Sequence, residues 1–162
     1  MLSLMLSMMF SSLLWPLAAP ARAESQGAPD APILAITRGG ESRTLSLREI
    51  EETGLRHVEM RHPEGLEGRF SGVNLDDFLA ANGLDEARRV RFIADDGYTT
   101  FLTPAERREK RYLMVTRLDG EPIGPDQFGP LMLVVPEEAE AVLAGTAPLT
   151  RWIWALREVS AR

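Results

Sequence analysis

Residues 70–79, FSGVNLDDFL, contain the transition that decides the fold, because a strand ends and a helix begins within ten residues. The stretch from Phe70 to Val73 is typical of the end of a strand. Asn74 is a preferred helix N-cap, since its side-chain oxygen can accept a hydrogen bond from an orphan backbone N–H of the first turn. Gly83 then supplies a natural helix stop. The segment therefore predicts a short strand followed by a short helix.

Short strands and short helices alternate on both sides of this segment. Ser46 and Glu49 have the spacing of a capping box, and Thr103-Pro104 marks a second helix start. We expect the helix at Ser46 to follow directly on the turn at Gly39-Gly40. The further strands are predicted at residues 33–37, 55–60, 90–94, 99–102, 112–116 and 131–135, and a further helix at residues 137–143. The long, regular βα units of a doubly wound fold are missing from this pattern, which therefore predicts a mixed α+β domain.

Residues 95–98 and 152–156 give two further structural predictions. Residues 95–98, DDGY, predict a tight hairpin between two strands. Residues 152–156, WIWAL, are apolar enough to anchor the carboxyl terminus to the core, through a short helix, a strand, or one after the other. Because the chain ends soon after these tryptophans and contains no repeats, we expect a single domain.

The amino terminus predicts export. Residues 1–15 are almost continuously apolar, and Ala21-Arg22-Ala23 has the form of a signal-peptidase site. The alternative, a membrane anchor, is disfavoured because the apolar run is shorter than the roughly 20 residues that span a bilayer. We therefore expect a signal peptide at residues 1–23, a flexible leader at residues 24–32, a folded domain at residues 33–162, and a periplasmic or secreted location after cleavage following Ala23.

Composition excludes several kinds of chemistry. The chain contains no cysteine, so it has no thiolate nucleophile, disulfide or sulfur ligand of this type for a metal. Its formal net charge of −6 argues against nucleic acid as a partner, because phosphate recognition needs a basic face.

Individual side chains give weaker signals. His57 and His62 lack the helical spacing of zinc-binding pairs, so no metal site is predicted from them. Asp95 and Asp96 are expected to bond the backbone of their own turn rather than act as an acid–base pair. Residues 61–69, RHPEGLEGR, form a charged segment that we expect to be a flexible loop, and loops of this kind often carry function.

The order of five segments resembles the oxidoreductase molybdopterin-binding domain, which has the sulfite-oxidase-type fold. These segments are residues 70–79, 90–98, 119–123, 129–136 and 152–157. The region of resemblance, which includes these five segments, extends over roughly residues 33–159. It implies an α+β domain with mixed sheets and short helices that, in catalytic relatives, holds a molybdenum–pterin cofactor and transfers oxygen atoms and electrons at the metal.

The sequence departs from the family at the position of the metal ligand. In catalytic relatives this ligand is a cysteine upstream of the Phe-x-Gly-Val stretch, and residues 55–69 contain none here. Neither His62 nor Glu64 matches a thiolate in softness and charge. We therefore expect a short exported family member without competent molybdenum catalysis.

Two functions remain open at this stage. In the first, the domain still binds molybdopterin or another small anionic molecule near residues 55–69, with Arg61, His62 and Arg69 as hydrogen-bond donors; alternatively these arginines are solvated loop charges. In the second, the domain is a non-catalytic periplasmic module that recognises a ligand, or an exported or membrane protein partner, as the sensing part of a signalling system.

Overall fold

The computed structural model describes residues 29–161. The predicted signal peptide and most of the predicted leader lie outside these residues, and β-structure begins at Pro32. Within the described part of the chain, no helix is long and apolar enough to cross a bilayer.

Ten strands and four short α-helices follow one another within residues 29–161. The strands are β1 (Pro32–Arg38), β2 (Glu41–Ser46), β3 (Leu55–Arg61), β4 (Glu67–Asn74), β5 (Val90–Ala94), β6 (Thr99–Leu102), β7 (Leu113–Leu118), β8 (Glu121–Pro122), β9 (Met132–Val134) and β10 (Leu156–Ala161). The helices are α1 (Leu47–Glu51), α2 (Leu75–Ala81), α3 (Pro104–Glu109) and α4 (Ala139–Leu143). Two single 3-10 turns, Pro125–Gln127 and Pro136–Glu138, complete the set.

The strands form two sheets, one mixed and one antiparallel. The first has the order β2-β1-β10-β5-β6, in which β1 and β10 are parallel and the other pairs are antiparallel. The second has the order β3-β4-β7-β8, with β9 also paired to β7, and is antiparallel throughout. One continuous core joins strands of both sheets and includes Phe70, Phe78, Phe92 and Trp152. The predicted α+β architecture with mixed sheets is confirmed.

The helix starts follow the capping rules. Ser46 and Thr103 each head a complete capping box, with Glu49 and Glu106 as the third helical residue. Asn74 accepts hydrogen bonds from the backbone N–H groups of Asp76 and Asp77. The strand-to-helix transition at residues 70–79 is therefore confirmed, because β4 ends at the residue that caps α2.

Two expectations from the sequence were wrong. The helix at Ser46 does not follow directly on the Gly39-Gly40 turn, because β2 lies between them and pairs with β1. Residues 61–69 do not form a flexible loop, since Arg61 ends β3 and Glu67 starts β4, with a tight turn between. The backbone N–H of His62 donates to the carbonyl of Leu66 at 2.7 Å, which closes this turn.

Gly72 permits the closest backbone approach in the second sheet. It lies in the middle of β4, next to an irregularity in the pairing with β7. A Cβ atom placed here would lie 2.2 Å from the carbonyl oxygen of Met114 and 2.7 Å from the Cα atom of Val115. Both contacts involve backbone atoms, so a side chain cannot be accommodated unless the two strands separate.

We expect Gly72→Ala to destabilise the fold by about 3 kcal/mol or more, because a methyl group would push β4 away from β7. Chemical denaturation of the purified variant measures this change. Gly124→Ala is the matched control, since its added methyl group would meet the end of a movable side chain, Asp126, at 2.5 Å. Equal stability of both variants would contradict this account of the strand contact.

Candidate functional site

His62 lies inside a cluster of aromatic rings. Its ring centroid is 5.4 Å from that of Trp154, 5.6 Å from Trp152, 6.3 Å from Phe128 and 6.5 Å from Phe70. The side chain is buried, with 1% of its surface exposed. Phe70 belongs to the second sheet and the tryptophans precede β10 of the first, so the cluster connects the two sheets.

The hydrogen bonds of His62 define its neutral tautomer. The Nδ1 atom accepts a hydrogen bond from the backbone N–H of Glu64 at 3.2 Å, which places the proton on Nε2. The Nε2 atom and the indole nitrogen of Trp152 are both buried and have no protein partner among residues 29–161. Burial lowers the pKa of His62 from 6.5 to about 4, because the cationic form would lose its hydration. The imidazole is therefore neutral at pH 7.

The structure separates His62 from the two arginines that were predicted beside it. Arg61 and Arg69 lie on one face of the β3-β4 hairpin, where Arg61 is paired with Glu67 and Arg69 with Glu59. Phe70, the next residue after Arg69, points to the other face. Arg61 donates to Glu140 at 2.7 Å, which raises the pKa of its guanidinium. The side chain of Arg69 is exposed. The three residues thus do not converge on one cleft.

The cofactor that the family resemblance implies needs a soft ligand for molybdenum. The chain contains no cysteine, and among residues 29–161 no group of three or more histidine, aspartate or glutamate side chains is placed to hold a metal ion. The one histidine in the turn between β3 and β4 is enclosed by apolar rings. The residues present therefore do not fit the metal part of the cofactor.

A basic cleft lies at the other end of β3. Its volume is about 490 Å³, within the range of small-molecule sites. The start of β3 contributes Arg56 and His57, and the segment before β7 contributes Arg111 and Tyr112. The antiparallel pairing of β3, β4 and β7 brings these two segments together, although they are far apart in the sequence.

Several groups in the basic cleft can donate hydrogen bonds. Arg111 forms no side-chain ion pair within the described residues, and Arg56 has a loose, exposed contact of 3.6 Å with Asp77. Burial raises the pKa of Tyr112 to about 12, so its hydroxyl keeps its proton at neutral pH. Asn74 uses its side-chain oxygen to cap α2, which leaves its NH2 group as a donor.

One carboxylate also lines the basic cleft. Glu137 accepts a hydrogen bond from the backbone N–H of Arg111 at 2.9 Å, which anchors the segment that carries this arginine. His57 shares a hydrogen bond of 2.8 Å between its Nδ1 atom and the hydroxyl of Ser71. The cleft thus places two guanidinium groups beside one carboxylate, an arrangement suited to an anionic group.

Sequence reasoning placed a cleft near residues 55–69 but did not select Arg56, His57 or Arg111 for it. The relevant signal was the strand register. Arg56 and Asn74 lie near the paired ends of β3 and β4, and Asn74 is itself opposite Leu113 at the start of β7. Without that register, nothing in the sequence distinguishes Arg111 from other charged residues near the end of a helix.

Comparisons with known proteins agree with the architecture. The family model described as the oxidoreductase molybdopterin binding domain matches residues 39–144. Among solved structures, the chain resembles the sulfane dehydrogenase SoxCD from Paracoccus pantotrophus with a TM-score of 0.57 and 14% identity. The alignment covers 83% of this chain and 39% of that one, so this chain spans about two-fifths of its length. No curated protein matches by sequence. The structural likeness shows a sulfite-oxidase-type fold.

We expect the stability of the protein to fall as the pH is lowered from about 6.5 to about 4, because the unfolded chain binds a proton on His62 in this range and the native state does not. The loss attributable to His62 should reach about 3 kcal/mol at most. Urea unfolding of wild type and His62→Phe between pH 4 and 8 measures it as the difference between the two curves.

His57→Gln is the matched control, since His57 is exposed and should leave this pH dependence in place. If wild type and His62→Phe lose stability in parallel as the pH falls, His62 is not buried in its neutral form.

Proposed function

The chain belongs to the oxidoreductase molybdopterin-binding domain family, and on that premise we propose that it is an exported, non-catalytic member that binds a small anionic ligand. The observation that carries this proposal is the basic cleft beside residues 55–69, the segment in which catalytic relatives have their metal ligand. A phosphate-bearing pterin is one ligand with this chemistry, and other small phosphates or carboxylates share it.

Loss of molybdenum catalysis is supported by the donor atoms of the chain. A thiolate is a soft, anionic ligand that tunes the metal as well as holding it. The oxygen and nitrogen donors of this chain are harder, and His62 is packed against four rings with Nδ1 already engaged. We therefore derive no reaction step at a metal.

Binding in the basic cleft would rest on charge-assisted hydrogen bonds. Arg56 and Arg111 approach from two different segments, so an anion between them would receive donors from two directions. The NH2 group of Asn74 would add a neutral donor beside the two guanidinium groups. Glu137 would repel the part of an anion that extends toward it, so the anionic group would lie between the two arginines.

Export is supported by the pattern of residues 1–23, which combines an apolar run with an Ala-x-Ala site. A ligand-binding domain in the periplasm or outside the cell would sample small solutes directly. In this setting the domain would act as the sensing part of a larger system rather than as an oxidoreductase.

We expect Arg111→Gln to weaken binding of inorganic pyrophosphate by at least about tenfold, because one charge-assisted hydrogen bond is lost. The backbone bond to Glu137 is retained in this variant, so the fold should be unaffected. Isothermal titration calorimetry of wild type and variant gives the two dissociation constants.

Arg69→Gln is the matched control, because it removes the same charge from an exposed position outside the basic cleft. Its affinity for pyrophosphate should lie within about twofold of wild type. If Arg69→Gln weakens binding and Arg111→Gln does not, the ligand binds beside Arg69 and the basic cleft is not the site.

We expect the full-length gene product, recovered from the exported fraction of its host, to begin at Glu24 and to contain molybdenum far below one atom per chain. Intact mass under denaturing conditions identifies the amino terminus, and elemental analysis of the native protein measures the metal. Stoichiometric molybdenum, together with dye reduction driven by sulfite at an enzymatic rate, would contradict the absence of catalysis. An unprocessed chain would contradict cleaved export.

A further inference from the structure

A second cleft, here called the aromatic cleft, lies on the other side of the tryptophans that pack against His62. It has a volume of about 380 Å³ and is lined chiefly by Asp96, Tyr98, Leu149, Thr150, Trp152 and Trp154. None of these residues lines the basic cleft. The two clefts are therefore separate binding surfaces.

Two segments of chain form the walls of the aromatic cleft. One is the turn between β5 and β6, which contributes Asp96 and Tyr98, and the other precedes β10. The hydroxyl groups of Tyr98 and Thr100 donate to the carbonyl of Thr150 at 3.4 and 3.3 Å, which ties the walls together. These two hydrogen bonds fix the position of one wall relative to the other.

Tyr98 and Trp154 are the rings that a solute can reach, because Trp152 is buried with 2% of its surface exposed. Trp152 and Trp154 are held by packing on His62, which is neutral at pH 7 because burial lowers its pKa to about 4. No cationic side chain therefore lies against these rings from that side. Tyr98 is 47% exposed, so its ring remains accessible to solutes.

The electrostatics of the aromatic cleft are negative. Asp96 forms no ion pair within residues 29–161, and its carboxylate accepts the backbone N–H of Tyr98 at 2.9 Å. The nearby cations are engaged elsewhere, since Arg157 pairs with Asp95 at 2.8 Å and Arg151 with Glu106. The charge on Asp96 is therefore not compensated by a neighbouring residue of the described chain.

We propose that the aromatic cleft binds a compact organic cation of the quaternary ammonium type. The faces of tyrosine and tryptophan rings attract such cations, and quaternary ammonium groups are the ligands that aromatic cages recognise. The uncompensated carboxylate adds Coulombic attraction beside low-dielectric walls. An anion would be repelled by Asp96. A purely apolar ligand would desolvate that carboxylate without replacing its water contacts.

Small inorganic cations fit the aromatic cleft poorly. Calcium binds through six or more oxygen ligands, and magnesium keeps an octahedral shell of oxygens. The aromatic cleft offers one carboxylate among largely apolar side chains. Choline is therefore a suitable probe, and 3,3-dimethylbutan-1-ol, which has the same shape without the charge, is its neutral counterpart.

The test is a titration of the full chain with each probe. The fluorescence of the tryptophans reports how much probe is bound. We expect choline to bind at least about fivefold more tightly than the neutral alcohol, the size of a partly desolvated cation–π contact. Asp96→Asn keeps the side-chain oxygen that caps the turn and removes the charge. This variant should lower the affinity for choline and leave that for the alcohol unchanged.

Two controls keep the proposal falsifiable. Asp95→Asn removes the adjacent charge, which is already paired with Arg157 and does not line the aromatic cleft, so choline binding should be retained. Tyr98→Phe should retain binding and Tyr98→Leu should weaken it, because only the latter loses the aromatic face. Thermal unfolding of each variant reports whether it is folded.

Three results would overturn the proposal: equal binding of choline and the alcohol, no saturable binding of choline at concentrations up to about 10 mM, or an equal loss of affinity in Asp95→Asn and Asp96→Asn. Choline binding is expected to be the same in Arg111→Gln, since that residue lines the basic cleft. Failure of one site can therefore be distinguished from failure of the other.

Discussion

The packing of one neutral imidazole among four aromatic rings supports both halves of this domain. His62 is held against Phe70 of the second sheet and against Trp152 and Trp154, which lead into β10 of the first. Its burial makes the charged form unfavourable, so the cluster is intact while the ring stays neutral. The tryptophans that enclose His62 also form a wall of the aromatic cleft. His62 lies in the turn of the β3-β4 hairpin, so its packing also sets the position of β3 and its arginines.

Charge is distributed unevenly in a chain whose formal net charge is −6. Half of the described ion pairs lie at the surface, where they contribute little to stability. Each cleft contains a charged side chain that forms no ion pair within residues 29–161. The basic cleft has the cation Arg111, and the aromatic cleft has the anion Asp96. The fold of this family can present such sites without a thiolate, because recognition depends on surface groups rather than on the fold itself.

Local rules were sufficient for much of the secondary structure. The capping boxes at Ser46 and Thr103 and the cap at Asn74 act within four residues, so the sequence predicts them directly. The DDGY hairpin is equally local, and Asp96 bonds the turn backbone as expected. The strand β2 was missed because its first four residues are polar and exposed at the edge of a sheet, where the alternation of apolar and polar residues disappears. The burial of His62 could not be predicted from the sequence, because it depends on packing against Trp152 and Trp154, about 90 residues away.

The sequence by itself determined that the chain offers no thiolate ligand to a metal, because it contains no cysteine. It also determined the fold class, through the order of its short strands and caps. Only the tertiary structure decided which charged groups meet. The pairing of β3 with β4 places Arg61 and Arg69 on the face away from His62, and the pairing of β4 with β7 brings Arg56 and Arg111 to one cleft. The physical reason is register, since strand pairing fixes which distant side chains become neighbours.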